Sequence, residues 1–163
     1  MEENSLGRVL VVDDDPAVLS TISSILEGDY AVSAVTSGQE ALALLKTVQV
    51  DLILLDLLMP EMDGLEVCAA LKDNPDTAHI PVIFITVSDE PTSEELALDA
   101  GAVDYISKPL RPRVVKSRVG LQLEKGLYVQ FLERMLRSKD LTIEKLRAES
   151  QELLDSIGLS KPR

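Results

Sequence analysis

The chain has 163 residues, 45% hydrophobic and 27% charged, with a mean hydropathy of +0.11, enough apolar material for a real core and not the composition of a disordered chain. Its formal net charge of −12 hides an asymmetry: residues 1–109 hold 4 basic and 21 acidic residues, net −17, and the last 54 hold 12 basic and 7 acidic, net +5. So acidic a segment repels a phosphate backbone, a single cysteine (Cys68) excludes an internal disulfide, and no uncharged apolar run reaches the roughly 18 residues of a membrane span.

In chain order, short apolar or β-branched runs alternate with segments of helical spacing. Strand 1 is Val9–Val12. The first helix follows, with Val18, Ile22, Ile25 and Leu26 on one face and Pro16 where a first turn tolerates it. Strand 2, Tyr30–Val35, alternates more and suits an edge. The second helix opens at Ser37 or Gly38 and carries Ala41, Leu42 and Leu45. Strand 3 is Leu52–Leu55, and Gly64–Leu71 is the third helix, with Cys68 on its apolar face. Strand 4 is Val82–Ile85. The fourth helix, Ser93–Ala100, lies between Pro91 and Gly101, strand 5 is Val103–Ile106, and a fifth helix begins after Leu110, with Pro112 near its first turn. Five strands alternating with five helices predict an α/β fold, a parallel sheet covered on both faces. Ligands of such sheets sit at the carboxyl ends of the strands.

Those ends carry chemistry. Strand 1 ends in Asp13, Asp14 and Asp15, strand 3 in Asp56, strand 4 in Thr86, and strand 5 is followed by Ser107, Lys108 and Pro109. Converging carboxylates repel one another unless a hard cation neutralises them, and oxygen ligands of this kind suit Mg²⁺. A carboxylate held against such a metal can attack phosphorus, with Lys108 pairing the phosphoryl charge and Thr86 hydrogen-bonding one of its oxygens. The bland readings are helix capping for Asp15, loop shaping for Pro60, Asp63 and Gly64, solvation for His79 and core packing for Cys68.

The ordered set Val11-Val12-Asp13-Asp14-Asp15-Pro16, Asp51 to Asp56 with Pro60, Asp63 and Gly64, Ile85-Thr86 and Tyr105 to Pro109 resembles the receiver domain of bacterial two-component response regulators, over roughly residues 7–125. The resemblance implies a flavodoxin-like, doubly wound five-stranded parallel sheet in the order 2-1-3-4-5, with an extended C-terminal helix here. It makes Asp56 the phosphoacceptor, served by a sensor histidine kinase or phosphotransfer protein. Asp13, Asp14, Asp56 and the backbone carbonyl of Leu58 become the Mg²⁺ site, with Asp14 the favoured direct ligand. Thr86 becomes the switch hydroxyl, Tyr105 the aromatic that follows it, and Lys108 the phosphate-binding lysine. The Lys108–Pro109 bond is expected to be cis. Two positions depart from the pattern: Val87, where the family has a small residue, and Leu58, which brings an apolar side chain beside the acceptor.

A receiver domain over residues 1–125 leaves a helical extension, 126–157, and a loose end, 158–163. With Val129 at heptad position a, the a series is Val129, Leu136, Ile143, Ser150 and Ile157, and the d series Leu132, Lys139, Leu146 and Leu153. Seven of these nine are apolar, which predicts a coiled coil and a homodimer. Gly120 and Gly126 are expected to bend or loosen its join to helix 5. An amphipathic helix folding back on its own domain is the alternative for this segment. The Ser160–Arg163 ending favours a fragment of a longer regulator over a complete chain. The expectation is a cytoplasmic phosphoacceptor signalling module, not an enzyme, without membrane or nucleic-acid partners. The alternative from another class is a Mg²⁺-dependent phosphohydrolase working through an aspartyl phosphate. That type places its nucleophile in a DxDxT motif after the first strand, which Asp13-Asp14-Asp15-Pro16-Ala17 lacks.

Overall fold

A computed structural model describes residues 6–87 and 91–156. The expected Ile157 and loose end 158–163 lie outside the described residues. The elements are β1 (Arg8–Val12), α1 (Pro16–Leu26), β2 (Ala31–Val35), α2 (Gly38–Leu44), β3 (Leu52–Asp56), α3 (Gly64–Asp73), β4 (Val82–Thr86), α4 (Pro91–Asp99), β5 (Asp104–Ser107) and α5 (Pro112–Ser156). All strand pairs are parallel, and the order is β2-β1-β3-β4-β5, so the two-sided parallel sheet predicted from the alternation is present with β2 at one edge. The chain divides into two compact units, residues 1–124 and 125–163.

The period-2 alternation of side chains sorts the strands onto two faces. Leu10, Val12, Ile53, Leu55, Val82 and Phe84 point to one side, where they meet Ala41 of α2, Val67, Cys68 and Leu71 of α3 and Ala97 of α4. Val9, Val11, Leu52, Leu54, Ile83, Ile85 and Ile106 point to the other, against Leu19, Ile22 and Leu26 of α1 and Val115, Val119 and Leu123 of α5. Every residue of β3 and β4 is buried, which is why those strands are continuous apolar runs rather than alternating ones.

Local chemistry starts the helices where the polar residues stand. Asp15 is the N-cap of α1, its side chain accepting the Ala17 N–H, with Pro16 in the first turn. Ser37 caps α2 by accepting from Glu40 N–H. At α3, Asp63 accepts from the Glu66 backbone at 2.8 Å while the Glu66 carboxylate accepts from the Asp63 backbone at 3.0 Å, a reciprocal capping box. Cys68 is buried and donates to the Ala100 carbonyl, and His79 is exposed in the turn before β4. Gly101, with φ +88°, turns the chain from α4 toward β5, a conformation that favours glycine.

Helix boundaries differ from the sequence reading at α3, which ends at Asp73 rather than Leu71, and at α4. The fourth helix starts at Pro91, two residues earlier than Ser93, because proline is compatible with a first turn. The extended C-terminal helix expected from the sequence is present: α5 runs from Pro112 to Ser156 and includes both Gly120 and Gly126, neither of which interrupts it.

Candidate functional site

The C-terminal ends of β1, β3, β4 and β5 bring the expected residues together. Carboxylate oxygens of Asp13, Asp14 and Asp56 lie within 4.8 Å of one another. Asp13 is fully buried and both of its oxygens are engaged: Oδ1 accepts the Asp15 backbone N–H at 2.9 Å and Oδ2 accepts from Lys108 Nζ at 2.9 Å. Asp56, 4% exposed, accepts from the same ammonium on Oδ1 at 3.2 Å. Asp14 stands exposed beside them. Lys108 thus joins two carboxylates that are 43 residues apart in the sequence and meet only because β1 and β3 are neighbours.

One ammonium does not balance this charge. Burial first, and then repulsion from Asp13, push the Asp56 carboxyl up from its ordinary 3.8 to about 6, with Lys108 opposing the rise and Asp14 adding to it. Burial works against the charge of Lys108, yet its hydrogen bond to Asp13 and the charges of Asp56 and Asp13 outweigh that and hold its pKa above the usual lysine value. Three hard oxygen donors, two of them buried and short of positive charge, fit a small divalent cation such as Mg²⁺.

The surrounding backbone fixes the acceptor. Leu57 N–H donates to the Ile85 carbonyl at 2.9 Å, and Gly64 N–H donates to the Leu57 carbonyl at 2.9 Å. A Cβ on Gly64 would run into the Asp56 carbonyl oxygen and sit 2.9 Å from Leu57 Cα, so only glycine lets α3 start this close to β3. Thr86 is 3% exposed at the end of β4, and its carbonyl accepts the Lys108 N–H at 2.7 Å. The Lys108–Pro109 peptide is cis. Tyr105 is half-buried on β5, against the core that includes Phe84 and Ala97. Leu58 and Val87, in the segments that leave β3 and β4, are 63% and 62% exposed.

One ion pair at the opposite end of β5 from the site was not legible in the sequence. Arg118 of α5 places Nη1 at 2.6 and 2.7 Å from the two Asp104 carboxylate oxygens, at the start of β5. The sequence signals only that both residues are charged.

This sheet order, with acidic residues, a hydroxyl and a lysine at its carboxyl edge, defines a receiver-type signalling domain. The chain matches the family model of the response regulator receiver domain over residues 9–120 and belongs to that family. It is 44% identical over 124 residues to a Vibrio cholerae protein described as a probable cyclic di-GMP phosphodiesterase, covering 76% of this chain and 28% of that one. It is 42% identical over 114 residues to the response regulator PleD of Caulobacter vibrioides, covering 69% of this chain and 25% of PleD. Among solved structures it is similar to the receiver domain of a signal transduction histidine kinase from Syntrophus aciditrophicus, with a TM-score of 0.68 and 39% identity, covering 73% of this chain and 91% of that domain. A response regulator receiver domain protein from Methanospirillum hungatei superposes with a TM-score of 0.69 at 30% identity, covering 76% of this chain and 98% of that one. The chain spans only about a quarter to a half of the length of the curated relatives it matches. No described helix is long and apolar enough to cross a membrane.

Proposed function

We propose that this chain is a cytoplasmic phosphorylation switch in which Asp56 accepts a phosphoryl group from the phosphohistidine of a sensor histidine kinase or phosphotransfer protein. The observation that carries the reading is the buried Asp56 carboxylate sharing one ammonium with Asp13, next to an exposed Asp14. Asp13, Asp14, Asp56 and the Leu58 carbonyl would hold Mg²⁺, with Asp14 the most accessible carboxylate. When bound, the ion neutralises the carboxylates and the incoming phosphoryl oxygens.

The residues of the chain do the rest. With a pKa of about 6, Asp56 is largely ionised at neutral pH, as a nucleophile must be. Its oxygen forms the new O–P bond as the donor's N–P bond breaks, and the departing imidazole takes up a proton. Lys108 already sits within hydrogen-bonding distance of the acceptor and pairs with the phosphoryl charge. Thr86, at the end of the neighbouring strand, supplies a hydroxyl to a phosphoryl oxygen, and Tyr105 follows Thr86 as the switch aromatic. The domain thereby assists its own phosphorylation and dephosphorylation without turning over a substrate.

For output, the exposed a and d residues Val129, Leu132, Leu136, Ile143 and Leu146 support a homodimeric coiled coil over residues 126–157, joined to a receiver domain of residues 1–125. The face formed by α4, β5 and α5 relays the state of the site to that helix.

Incubation with Mg²⁺ and a small phosphodonor, followed by intact-mass measurement, tests the assignment. Wild type should gain one phosphoryl group and Asp56→Ala none. Equal labelling of both would refute Asp56 as the acceptor.

A further inference from the structure

β5 is a four-residue strand at the edge of the sheet, and charge ties it down at both ends. Just past its last residue, Lys108 reaches Asp13 and Asp56 at 2.9 and 3.2 Å. At its first residue, Asp104 accepts from Arg118 of α5 through both oxygens, and its Oδ1 also accepts the Tyr105 backbone N–H at 2.8 Å. Only Tyr105, Ile106 and Ser107 separate the two ties, and all three are in register on β4, opposite Phe84, Ile85 and Thr86.

The pair is better suited to connection than to stability. The Arg118 side chain is 43% exposed and the Asp104 side chain 12%, and ion pairs open to water on one side contribute little to folding. Its placement is specific, however. Arg118 lies between Val115 and Val119, which pack on the sheet, so its anchor acts on a helical turn held against the core. Asp104 is equally constrained, since it binds the backbone of the strand whose other end carries Lys108.

We propose that Asp104 and Arg118 are positioning residues that couple the charge at Asp56 to the receiver-domain part of α5, residues 112–124, with β5 as the strap between them. The proposal rests on the phosphoacceptor reading only in that a phosphoryl group is the natural way to change that charge. A group added to Asp56 offers Lys108 new oxygen partners beyond its two carboxylates. The Lys108 backbone is held by its N–H to the Thr86 carbonyl at 2.7 Å, so moving the ammonium loads the end of the strand. The load reaches α5 through Asp104, whose carboxylate is fixed to both Tyr105 and Arg118.

The test is amide hydrogen exchange of residues 112–124 in the full chain, with the charge at Asp56 changed in two independent ways. Asp56→Asn removes the charge without any phosphoryl chemistry, and Mg²⁺ with beryllofluoride or a small phosphodonor adds to it. In the wild-type background each change should alter exchange in this segment by about two- to thirtyfold, the range that couplings through a structural link span. In the Arg118→Ala background the response should disappear while the circular dichroism and the mass adduct at Asp56 stay as in wild type. Arg118→Lys should restore part of it, and Asp104→Asn should reproduce the loss, which also covers a poorly folding Arg118→Ala. A full response in the Arg118→Ala or Asp104→Asn background overturns the proposal, as does no response to Asp56→Asn in wild type. A missing adduct at Asp56 overturns the phosphoacceptor reading instead, and the Asp56→Asn comparison still decides the coupling.

Discussion

Asp56 is expected to make the domain less stable at neutral pH, so Asp56→Asn should stabilise it when Mg²⁺ is absent. The sign follows from linkage. The carboxyl titrates at about 6 in the folded chain against 3.8 ordinarily, so between those values the folded state binds more protons than the unfolded one. Stability then falls as pH rises from about 4 to about 6 and stays lower above that. A shift from 3.8 to about 6 corresponds to about 3 kcal/mol at the level of 1.36 kcal/mol per pKa unit, an upper bound for the gain on removing the charge. Asparagine is nearly isosteric with aspartate, and Lys108 keeps Asp13 as its partner, so no cavity or unpaired ammonium offsets the gain. Urea unfolding of both proteins at several pH values with a chelator checks this. The difference between them should be near zero at pH 4 and grow to about 2–3 kcal/mol at pH 7.5. Because other titrating groups are common to both chains, they largely cancel. A variant no more stable than wild type at pH 7.5, or a difference independent of pH, would refute the argument from buried, mutually repelling carboxylates.

Mg²⁺ should reverse the ranking in part: at about 100 times its dissociation constant it stabilises wild type by about 2.7 kcal/mol, and Asp56→Asn, lacking one ligand, by less. Thermal shift against Mg²⁺ concentration measures this, and equal shifts would remove Asp56 from the metal site. Gly64→Ala should cost about 1–3 kcal/mol by forcing α3 away from the Asp56 carbonyl, read by urea unfolding, with slower phosphoryl uptake because the acceptor strand end moves. The proposed homodimer predicts that wild type scatters light as a dimer and Leu136→Lys, at a heptad a position, as a monomer with the receiver fold unchanged by circular dichroism. A monomeric wild type would refute the proposed dimer. Persistence of the dimer would place its interface outside the heptad seam.

Much of this molecule is legible one residue at a time. The continuous apolar runs of β1, β3 and β4 declare buried parallel strands, because only strands covered on both faces lack polar positions. The caps Asp15, Ser37 and Asp63 announce helix starts by their own hydrogen-bonding chemistry. The acidic residues, Thr86 and Lys108 fall at strand ends, and the parallel topology collects such ends along one edge. What pairs with what is a different matter. That Asp13 is fully buried and Asp14 exposed, though they are adjacent, depends on which way the chain turns after β1.

The tertiary structure alone decided that Lys108 bridges Asp13 and Asp56, that Gly64 must be glycine because α3 starts against the Asp56 carbonyl, and that Asp104 meets Arg118. The physical reason is the same in each case. Hydrophobic periodicity and capping are local, and a sequence displays them directly. Pairing geometry, burial of charge and the pKa of Asp56 depend on distances between segments far apart in the chain, and those exist only once the sheet has formed.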